Sequence, residues 1–474
     1  MKKFELVFVP SPATSHLVST IEIAKRLMNQ DDRISVTILC MKAPTTTYLD
    51  AFTKSLVGSE TRIKLVHLPQ VDPPPTELIT KSGEYYIYAY IESFVPHVRD
   101  TLKNILSSHS NSHSTRVSCL VLDFFCMPML DVANELDLPC YLFFTCNLGY
   151  LSLMLRISTR HELIGSEFKD SDPDLILPGF MNPIPTRVLP LAAFNKDGGY
   201  TTYLQISQGL REIKGIFVNS FAELESPEAL RMLSCDGNTP PIYMVGPVVD
   251  LKGQPNPCFD QAQHEKIMKW LDKQPNFSVL LLSFGSFGQF FKASQLRELA
   301  LGLERSGCRF LWCLRSPSQQ TIRSATEGII LPEGFLERTK GRGMICEWAP
   351  QMDVLAHKAT GGFVSHCGWN SMLESLWHGV PVATWPIYAE QQLNAFRMVW
   401  EFGLSTEVRL DYREGGDDVT AEEIEVAIRR LMEGGVEMRS RVKEMSQMAK
   451  NAVAEGGSSS NALGELVKDI IGSN

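Results

Sequence analysis

The sequence has no long apolar run. None of its apolar stretches reaches the ~20 residues that a membrane-spanning helix needs. The first of them ends at Pro10, too early for the apolar core of a signal peptide. We therefore expect a protein that is not inserted in a membrane and that works in the cytoplasm.

Long basic runs are absent as well. The chain carries 45 basic and 54 acidic side chains, a net charge of −9, so it offers no general attraction for nucleic acid or anionic lipid. Its 11 cysteines lack the close paired spacing of zinc sites. Several lie within apolar runs, as buried thiols of a reducing compartment do. A phosphorylated ligand would need local hydrogen-bond donors rather than a global field.

Two common enzyme signatures are also missing. No G-x-G-x-x-G follows the first apolar run, which argues against a nicotinamide-dependent oxidoreductase. The turn at Gly285–Gly288 does not have the spacing of G-x-S-x-G, which argues against a serine hydrolase. One DxD-like string, Asp172-Pro173-Asp174, lies in a proline-rich region at 155–200 that we expect to be irregular. We interpret it as surface acid rather than a metal site.

What the sequence does contain is an alternation of short apolar runs and helical periods. Glu5–Val9, Leu17–Leu27 and Ile34–Leu39 read as strand, helix and strand, the βαβ unit from which parallel sheets are built. A proline-rich stretch at 246–260 interrupts the pattern, which resumes with an apolar strand at Ser278–Ser283. At 474 residues, with 44% apolar and 21% charged residues, the chain is long enough for two α/β halves.

Polar residues just after strands are the candidates for ligand binding in such sheets. The helix expected at Asn370–His378 follows a strand, and a helix N-terminus suits phosphate. Gly368 allows a close backbone approach, and His366 and Ser371 add donors. The spacing of Ser371 and Glu374 also fits a helix-capping box, so this alternative stays open.

Three other places fit parts of a nucleotide-sugar site. Trp348 could stack on a nucleobase, and Glu390 and Gln391 could bond the vicinal hydroxyls of a sugar. His16 lies in an expected loop after the first strand, and Asp123 ends a later strand, as in a general-base arrangement. Taken singly, each also fits an ordinary role: a core indole, an exposed helix start, a loop histidine.

Taken together, these residues form one spaced unit. Trp348–Gln391 resembles, without insertion, the 44-residue signature box of plant UDP-dependent glycosyltransferases of small molecules. The similarity extends to P-x-P-x-x-x-H at the start, L-D-F-F-C around Asp123, S-F-G-S at Ser283–Ser286 and E-G-G-S-S near the C-terminus. The members most similar to this chain glucosylate flavonoids, other phenolics and triterpenoids.

The resemblance implies an α/β architecture of the GT-B type, with two Rossmann-like domains facing a central cleft. The implied domains are an acceptor-binding domain at 1–245, a linker at 246–260, a UDP-sugar-binding domain at 261–455, and a C-terminal helix at 456–474 that packs back on the first domain.

The resemblance also implies a set of UDP-sugar contacts: Ser286, Trp348, Ala349, Gln351, His366, Gly368, Trp369, Asn370, Ser371, Glu374, Glu390, Gln391 and Thr145. Within this set, Trp348 stacks on uracil, Gln351 and Glu374 lie at the ribose, and Glu390 and Gln391 lie at the hexose. A box that ends in Gln is similar to those of the glucose-using members.

For catalysis, the resemblance implies that His16 is the general base and that Asp123 orients it, although Ser15 stands where the family often has Gly. The implied reaction is inverting transfer of glucose from UDP-glucose to a small hydrophobic hydroxylated acceptor, giving a β-O-glucoside without a cofactor or metal. We expect a monomer that acts on a flavonoid or another phenolic. A triterpenoid acceptor, or a non-catalytic nucleotide-sugar binding protein, remains an alternative. Aromatic side chains that could line the acceptor cavity, or simply form core, are Tyr85, Phe124, Phe144 and Phe194.

Overall fold

The computed structural model describes residues 3–42, 57–58, 60–110, 115–234, 237, 239–251, 261–285, 291–314, 331–413 and 416–472. The chain divides into two compact units. Unit 1 comprises Met1–Thr186, Leu191–Asp250 and Asn451–Asn474, and unit 2 comprises Arg187–Pro190 and Leu251–Lys450.

In these residues the strands are β1 Lys3–Val9, β2 Ile34–Cys40, β3 Ile63–His67, β4 Thr115–Asp123, β5 Cys140–Phe144, β6 Gly215–Val218, β7 Ile242–Met244, β8 Val279–Ser283, β9 Arg309–Cys313, β10 Gly343–Cys346, β11 Thr360–Ser365, β12 Val382–Thr384 and β13 Ser405–Glu407.

The α-helices of the same residues are α1 Thr14–Gln30, α2 Glu77–Lys81, α3 Gly83–Glu92, α4 Val95–Ser110, α5 Leu130–Glu135, α6 Leu148–Ile164, α7 Gly199–Gly209, α8 Pro227–Ser234, α9 Gln261–Leu271, α10 Ala293–Ser306, α11 Phe335–Arg338, α12 Gln351–Ala356, α13 Trp369–His378, α14 Gln391–Phe396, α15 Ala421–Glu433, α16 Val436–Val453 and α17 Ser458–Gly472.

Unit 1 contains a parallel sheet of seven described strands in the order β3-β2-β1-β4-β5-β6-β7. Six of the seven residues of β1 are buried, as expected for a central strand that is covered on both faces. The chain builds outward from β1 to β3 and then returns to the other side of β1 with β4. The carboxyl ends of β1 and β4 therefore form the topological switch point, where sheets of this kind bind ligands.

The last helix, α17, belongs to the core of unit 1. Its Leu463 and Leu466 are buried with residues of β1 and β2. Asp469 accepts a hydrogen bond of 2.7 Å from the Tyr141 hydroxyl, and Ser459 donates one of 2.5 Å to the Gly246 carbonyl. Apolar burial and two hydrogen bonds thus hold the C-terminal segment on the sheet of unit 1.

Unit 2 repeats the architecture with six described strands, all parallel, in the order β10-β9-β8-β11-β12-β13. Here the switch point lies between the adjacent strands β8 and β11. The segment after β11 leads directly into α13, which ends at Gly379 with a φ of 70°, the left-handed conformation that glycine tolerates at a helix end. The two parallel α/β sheets that the sequence predicts are confirmed.

Two local expectations were wrong. His16 lies in the first turn of α1 rather than in a loop; the helix starts at Thr14 without a side-chain cap, so no capping residue marks its beginning. The region 155–200 is not irregular throughout, because α6 extends to Ile164. Near the C-terminus, Gly434 and Gly435, the latter with a φ of 80°, separate α15 from α16. Among the described helices, none is both long enough and apolar enough to cross a membrane.

Candidate functional site

The switch point of unit 1 brings His16 and Asp123 together. Asp123 is the last residue of β4, and α1 begins five residues after β1 ends, so adjacent strands carry both side chains to one edge of the sheet. The Nδ1 atom of His16 lies 2.8 Å from Oδ2 of Asp123. Because a carboxylate only accepts hydrogen bonds, Nδ1 carries the proton, and this tautomer has its lone pair on Nε2.

The carboxylate of Asp123 is held on both oxygens. Ser11 donates a hydrogen bond of 2.5 Å to Oδ1, while Oδ2 accepts from His16. Asp123 and Ser11 are buried, whereas the His16 side chain keeps 28% of its exposure. The Thr145 hydroxyl, directly after β5, lies 3.4 Å from Nδ1 of His16. This arrangement fixes the ring from one side and can support a positive charge on it.

Ser11 is a contributor that sequence analysis missed. It stands between Pro10 and Pro12 at the carboxyl end of β1, the position from which ligand-site residues are drawn in such sheets. That placement could have identified it, but a serine between two prolines is common in turns and carries no signature.

In unit 2, Trp348 and Ala349 follow β10 and lead into α12. Trp348 is half-buried, and its backbone carbonyl accepts a hydrogen bond of 3.0 Å from the side-chain amide of Gln263. Ala349 is buried. The segment that carries the indole is therefore anchored by its backbone, while the indole itself keeps an accessible surface.

Three polar side chains meet where α12 and α13 approach each other. The Gln351 amide donates to Oγ of Ser371 at 3.0 Å and to a carboxylate oxygen of Glu374 at 2.6 Å. This contact decides the open question about Glu374. The N-cap of α13 is Gly368, which has no side-chain hydrogen bond, so Ser371 and Glu374 do not form a capping box.

His366 lies in the turn between β11 and α13, packed between two glycines. A Cβ atom at Gly285 or at Gly368 would lie 2.6 Å from its Nε2 atom, and Gly285 has a φ of +78°. Burial lowers the pKa of His366 to about 4, although a backbone contact with Ser283 acts the other way. His366 is thus a neutral imidazole at pH 7, and both glycines are needed for its position.

The start of α13 combines that imidazole with the first residues of the helix, Trp369, Asn370 and Ser371. Trp369 is buried, so its backbone is held in place, and its two successors are half-buried. A ten-residue helix presents a partial positive charge at this end. The group can bind an anion, and a diphosphate in particular.

Glu390 and Gln391 follow a turn after β12 that side-chain hydrogen bonds hold in place. Oε1 of Gln391 accepts hydrogen bonds from the backbone N–H groups of Ile387 and Tyr388, at 3.0 and 3.1 Å, and its side chain is buried. Ala389, between Tyr388 and Glu390, has a φ of 54°, which is uncommon for a residue with a side chain. The sequence did not indicate this supporting role of Gln391.

Asn394 joins the two turns of unit 2 that carry candidate ligand-binding residues, and it was also missed. Its buried amide donates to Oε1 of Glu390 at 3.2 Å and to the carbonyl of Cys367 at 3.0 Å. Cys367 has a φ of 67°, a second left-handed residue at this edge. Strained backbone of this kind concentrates at functional sites. The only signal in the sequence was the helical spacing of Asn394 from Glu390.

The remaining candidates have mixed outcomes. Ser286 lies outside the described residues. Phe124 and Phe144 are core residues, with ring centroids 5.6 Å apart, while Tyr85 and Phe194 are half-buried. Asp172 of the DxD-like string accepts a hydrogen bond of 2.6 Å from Arg160, which agrees with its interpretation as surface acid.

Comparison with known proteins identifies this combination of fold and site. A family model described as "UDP-glucoronosyl and UDP-glucosyl transferase" matches residues 247–452. UDP-glycosyltransferase 71K1 of Malus domestica is 51% identical over 481 residues, covering 100% of both chains. Flavonol 3-O-glucosyltransferase UGT71C4 of Arabidopsis thaliana is 46% identical, covering 99% of this chain and 98% of its own.

A solved structure extends the similarity to three dimensions. The crystal structure of Medicago truncatula UGT71G1 complexed with UDP-glucose is 50% identical and superimposes with a TM-score of 0.91, covering 99% of this chain and 98% of that one. Fold and sequence together define a UDP-dependent glycosyltransferase of the GT-B type, a hexosyltransferase that acts on small molecules. The chain belongs to plant UDP-glycosyltransferase family 1, within its UGT71 group. The resemblance, the fold class and the enzyme class predicted from the sequence are confirmed.

Proposed function

We propose that the chain transfers glucose from UDP-glucose to a phenolic hydroxyl of a small plant metabolite, most closely a flavonol, with inversion at the anomeric carbon. The observation that carries the proposal is the His16–Asp123 pair, 2.8 Å apart, with the carboxylate buried and the imidazole partly exposed. A non-catalytic sugar-nucleotide binding protein would have no use for a buried carboxylate that fixes one tautomer of a histidine.

The proposed step is a single displacement. Nε2 of His16 removes the proton of the acceptor hydroxyl, whose pKa of ~10 makes it a weak nucleophile at neutral pH. The oxygen attacks the anomeric carbon, the bond to the UDP oxygen breaks, and UDP leaves with that electron pair. Asp123 stabilises the imidazolium that forms. One displacement turns the α-linkage of the donor into a β-glucoside.

In the proposal, unit 2 supplies the donor site. Trp348 stacks on uracil, which Ala349 bonds through its backbone, and Gln351 and Glu374 act as one hydrogen-bonded pair at the ribose. The diphosphate is received at the start of α13 by His366, Asn370, Ser371 and the Trp369 backbone, with Gly368 allowing its approach. Glu390 and Gln391 contact the hexose.

The N-terminal end of α13 explains why the proposed reaction includes no metal ion. A neutral His366, hydroxyl and amide donors and the helix dipole can together stabilise the charge that develops on the leaving UDP. A lysine or a metal ion is then not required by the chemistry.

Glucose as the sugar is supported by Gln391, at the end of the signature box, and by the UDP-glucose bound in the similar Medicago truncatula structure. Gln391→His tests this choice. We expect it to lower kcat/KM for UDP-glucose about tenfold, an effect of one or two hydrogen bonds, and to shift preference toward UDP-galactose. An unchanged ratio of the two donors would contradict the assignment.

A flavonol acceptor is supported by the 46% identity with a flavonol 3-O-glucosyltransferase. The test is an acceptor panel of flavonols, simple phenols and triterpenoids with UDP-glucose, read by mass spectrometry. We expect a β-glucoside of a flavonol as the most rapidly formed product. If triterpenoid glucosides are the only products, the acceptor class is triterpenoid rather than phenolic. UDP binding without any product would favour the non-catalytic alternative.

His16→Ala is the accompanying variant, expected to lose turnover on the order of 10³-fold with UDP binding retained. His264→Ala is a matched control. His264 lies 2.8 Å from Asp353 and its side chain is 29% exposed, against 28% for His16. We expect His264→Ala to keep near-normal turnover. Near-normal turnover in His16→Ala would overturn the proposed base.

A further inference from the structure

Two cysteine side chains are in contact near the donor site of unit 2. Cys313 is the last residue of β9 and Cys346 the last of β10, and the two residues are opposed in the register of these parallel strands. Opposed residues on neighbouring strands point to the same face of a sheet. Their Sγ atoms are 3.9 Å apart.

The backbone geometry is compatible with a disulfide. Neighbouring strands are ~4.8 Å apart, within the Cα separation of 4.4–6.8 Å that disulfides span. The sulfur atoms would have to approach by about 2 Å to reach the S–S bond length of ~2.05 Å.

The two thiols differ in access. Cys346 is buried, so a reagent in solution does not reach its sulfur. Cys313 is only half-buried. A reagent in solution therefore reaches Cys313 first, and Cys346 is positioned to react with whatever forms there.

We propose that Cys313 and Cys346 are a modification site that small-molecule disulfides, such as oxidised glutathione, convert to an intramolecular disulfide. The thiolate of Cys313 attacks one sulfur of the reagent and releases one molecule of glutathione. Cys346 then loses its proton and attacks Sγ of Cys313, releasing the second. Two electrons and two protons pass from the protein to one molecule of oxidised glutathione, so the exchange is balanced.

The position of the pair links it to donor binding. Cys346 is two residues before Trp348, and its carbonyl accepts a hydrogen bond of 2.8 Å from the Leu314 N–H group, at the last rung between the two strands. Trp348 is itself fixed by Gln263. Drawing Sγ of Cys346 toward β9 displaces the start of this short segment and, with it, the indole. The disulfide form therefore binds UDP more weakly, an effect that rests on the proposed role of Trp348.

The first test concerns the bond alone. The reduced full-length protein is incubated with oxidised glutathione, and peptides are mapped by mass spectrometry without reduction. We expect a cross-linked peptide pair containing Cys313 and Cys346, absent from Cys313→Ser and present in Cys308→Ser. Cys308 is a matched control, a half-buried thiol of the same unit. A glutathione adduct that persists on Cys313, or cross-links between other cysteines only, would overturn the proposal.

The second test concerns the coupling. UDP binding to the reduced, oxidised and re-reduced protein is measured by calorimetry. We expect Kd to rise at least fivefold on oxidation, to recover with dithiothreitol, and to stay constant throughout in Cys313→Ser. An unchanged Kd despite the mapped bond would refute the link to Trp348. Failure of the reduced protein to bind UDP would instead count against the proposed function, while the peptide map still decides the thiol chemistry.

Discussion

Two histidine–aspartate pairs of this chain match in distance and differ in surroundings. His16–Asp123 and His264–Asp353 both have a nitrogen–oxygen distance of 2.8 Å and a histidine that is a little over a quarter exposed. The aspartate side chains differ sharply, with 2% exposure for Asp123 and 44% for Asp353. Asp123 also ends a central strand, whereas Asp353 lies on a short helix.

The difference shows that contact distance does not identify a catalytic pair. An exposed pair is screened by water and contributes at most ~1 kcal/mol. A buried carboxylate lies in a region of lower effective dielectric constant, so it can stabilise an imidazolium strongly. Its desolvation must be offset by hydrogen bonds, which Ser11 and His16 supply. Asp123 is buried, has Ser11 as a second hydrogen-bond partner and lies at a switch point. These three features distinguish the first pair from the second.

The largest expected effect comes from replacing the two aspartates separately. Asp123→Asn should lower kcat on the order of 10³-fold, because an amide neither fixes the reactive tautomer of His16 nor stabilises its charge. Asp353→Asn should change kcat less than twofold. The measurement is steady-state kinetics with UDP affinity determined alongside. Equal losses of rate and UDP affinity in Asp123→Asn would indicate a folding role instead.

Candidate residues that are close in the chain were the easiest to propose from the sequence. The candidate donor residues from Trp348 to Gln391 lie within 44 positions, so the resemblance to one signature box predicted them together. Structure then added which of them touch. Gln351 donates to both Ser371 and Glu374, and the N-cap position of Gly368 excluded the capping box. Such contacts join two helices and leave no periodic trace in the sequence.

Residues distant in the chain were predicted less completely. His16 and Asp123 are 107 positions apart and were found because both follow strands. Ser11 and Asn394 were missed because each acts through another residue, holding Asp123 in one case and Glu390 with Cys367 in the other. Side chains that support a site are defined by packing. The start of α1 at Thr14 was missed because no side chain caps it.

His366 extends the comparison to a histidine whose ring is buried. Its titration gives the next-largest expected effect, a pH dependence of stability. Burial lowers the pKa of His366 to about 4, against 6.5 when it is unfolded. The unfolded chain therefore binds a proton below pH 6.5 that the folded chain does not bind until about pH 4. Stability from this group is complete above pH 6.5 and decreases as the pH falls toward 4.

Between pH 7 and pH 5 this linkage should cost about 2 kcal/mol of the free energy of unfolding. His366→Asn should lack this part of the pH dependence, because asparagine does not titrate. Denaturant unfolding of both proteins at the two pH values measures the difference. All other titrating groups are common to both and cancel. An identical pH dependence in the two proteins would mean that the pKa of His366 is the same in the folded and the unfolded chain.

The smallest expected effect, and the finest test of the comparison, concerns Ser11 as a positioning residue. Ser11→Ala removes the donor to Oδ1 of the buried carboxylate, so Asp123 is held less firmly against His16. We expect kcat to fall about tenfold, the scale of one hydrogen bond to a charged group. KM for UDP-glucose should not change, because Ser11 supports His16 and not the donor site.

Ser11→Thr keeps the hydroxyl and should restore kcat. Ser118→Ala provides a matched control on the same strand as Asp123, since Ser118 is as buried as Ser11 and its hydroxyl has no hydrogen-bond partner among the described residues. It should leave both kcat and KM unchanged. A purely structural role of Ser11 would lower stability without a selective loss of kcat. That outcome would leave burial, rather than the second hydrogen bond, as what separates Asp123 from Asp353.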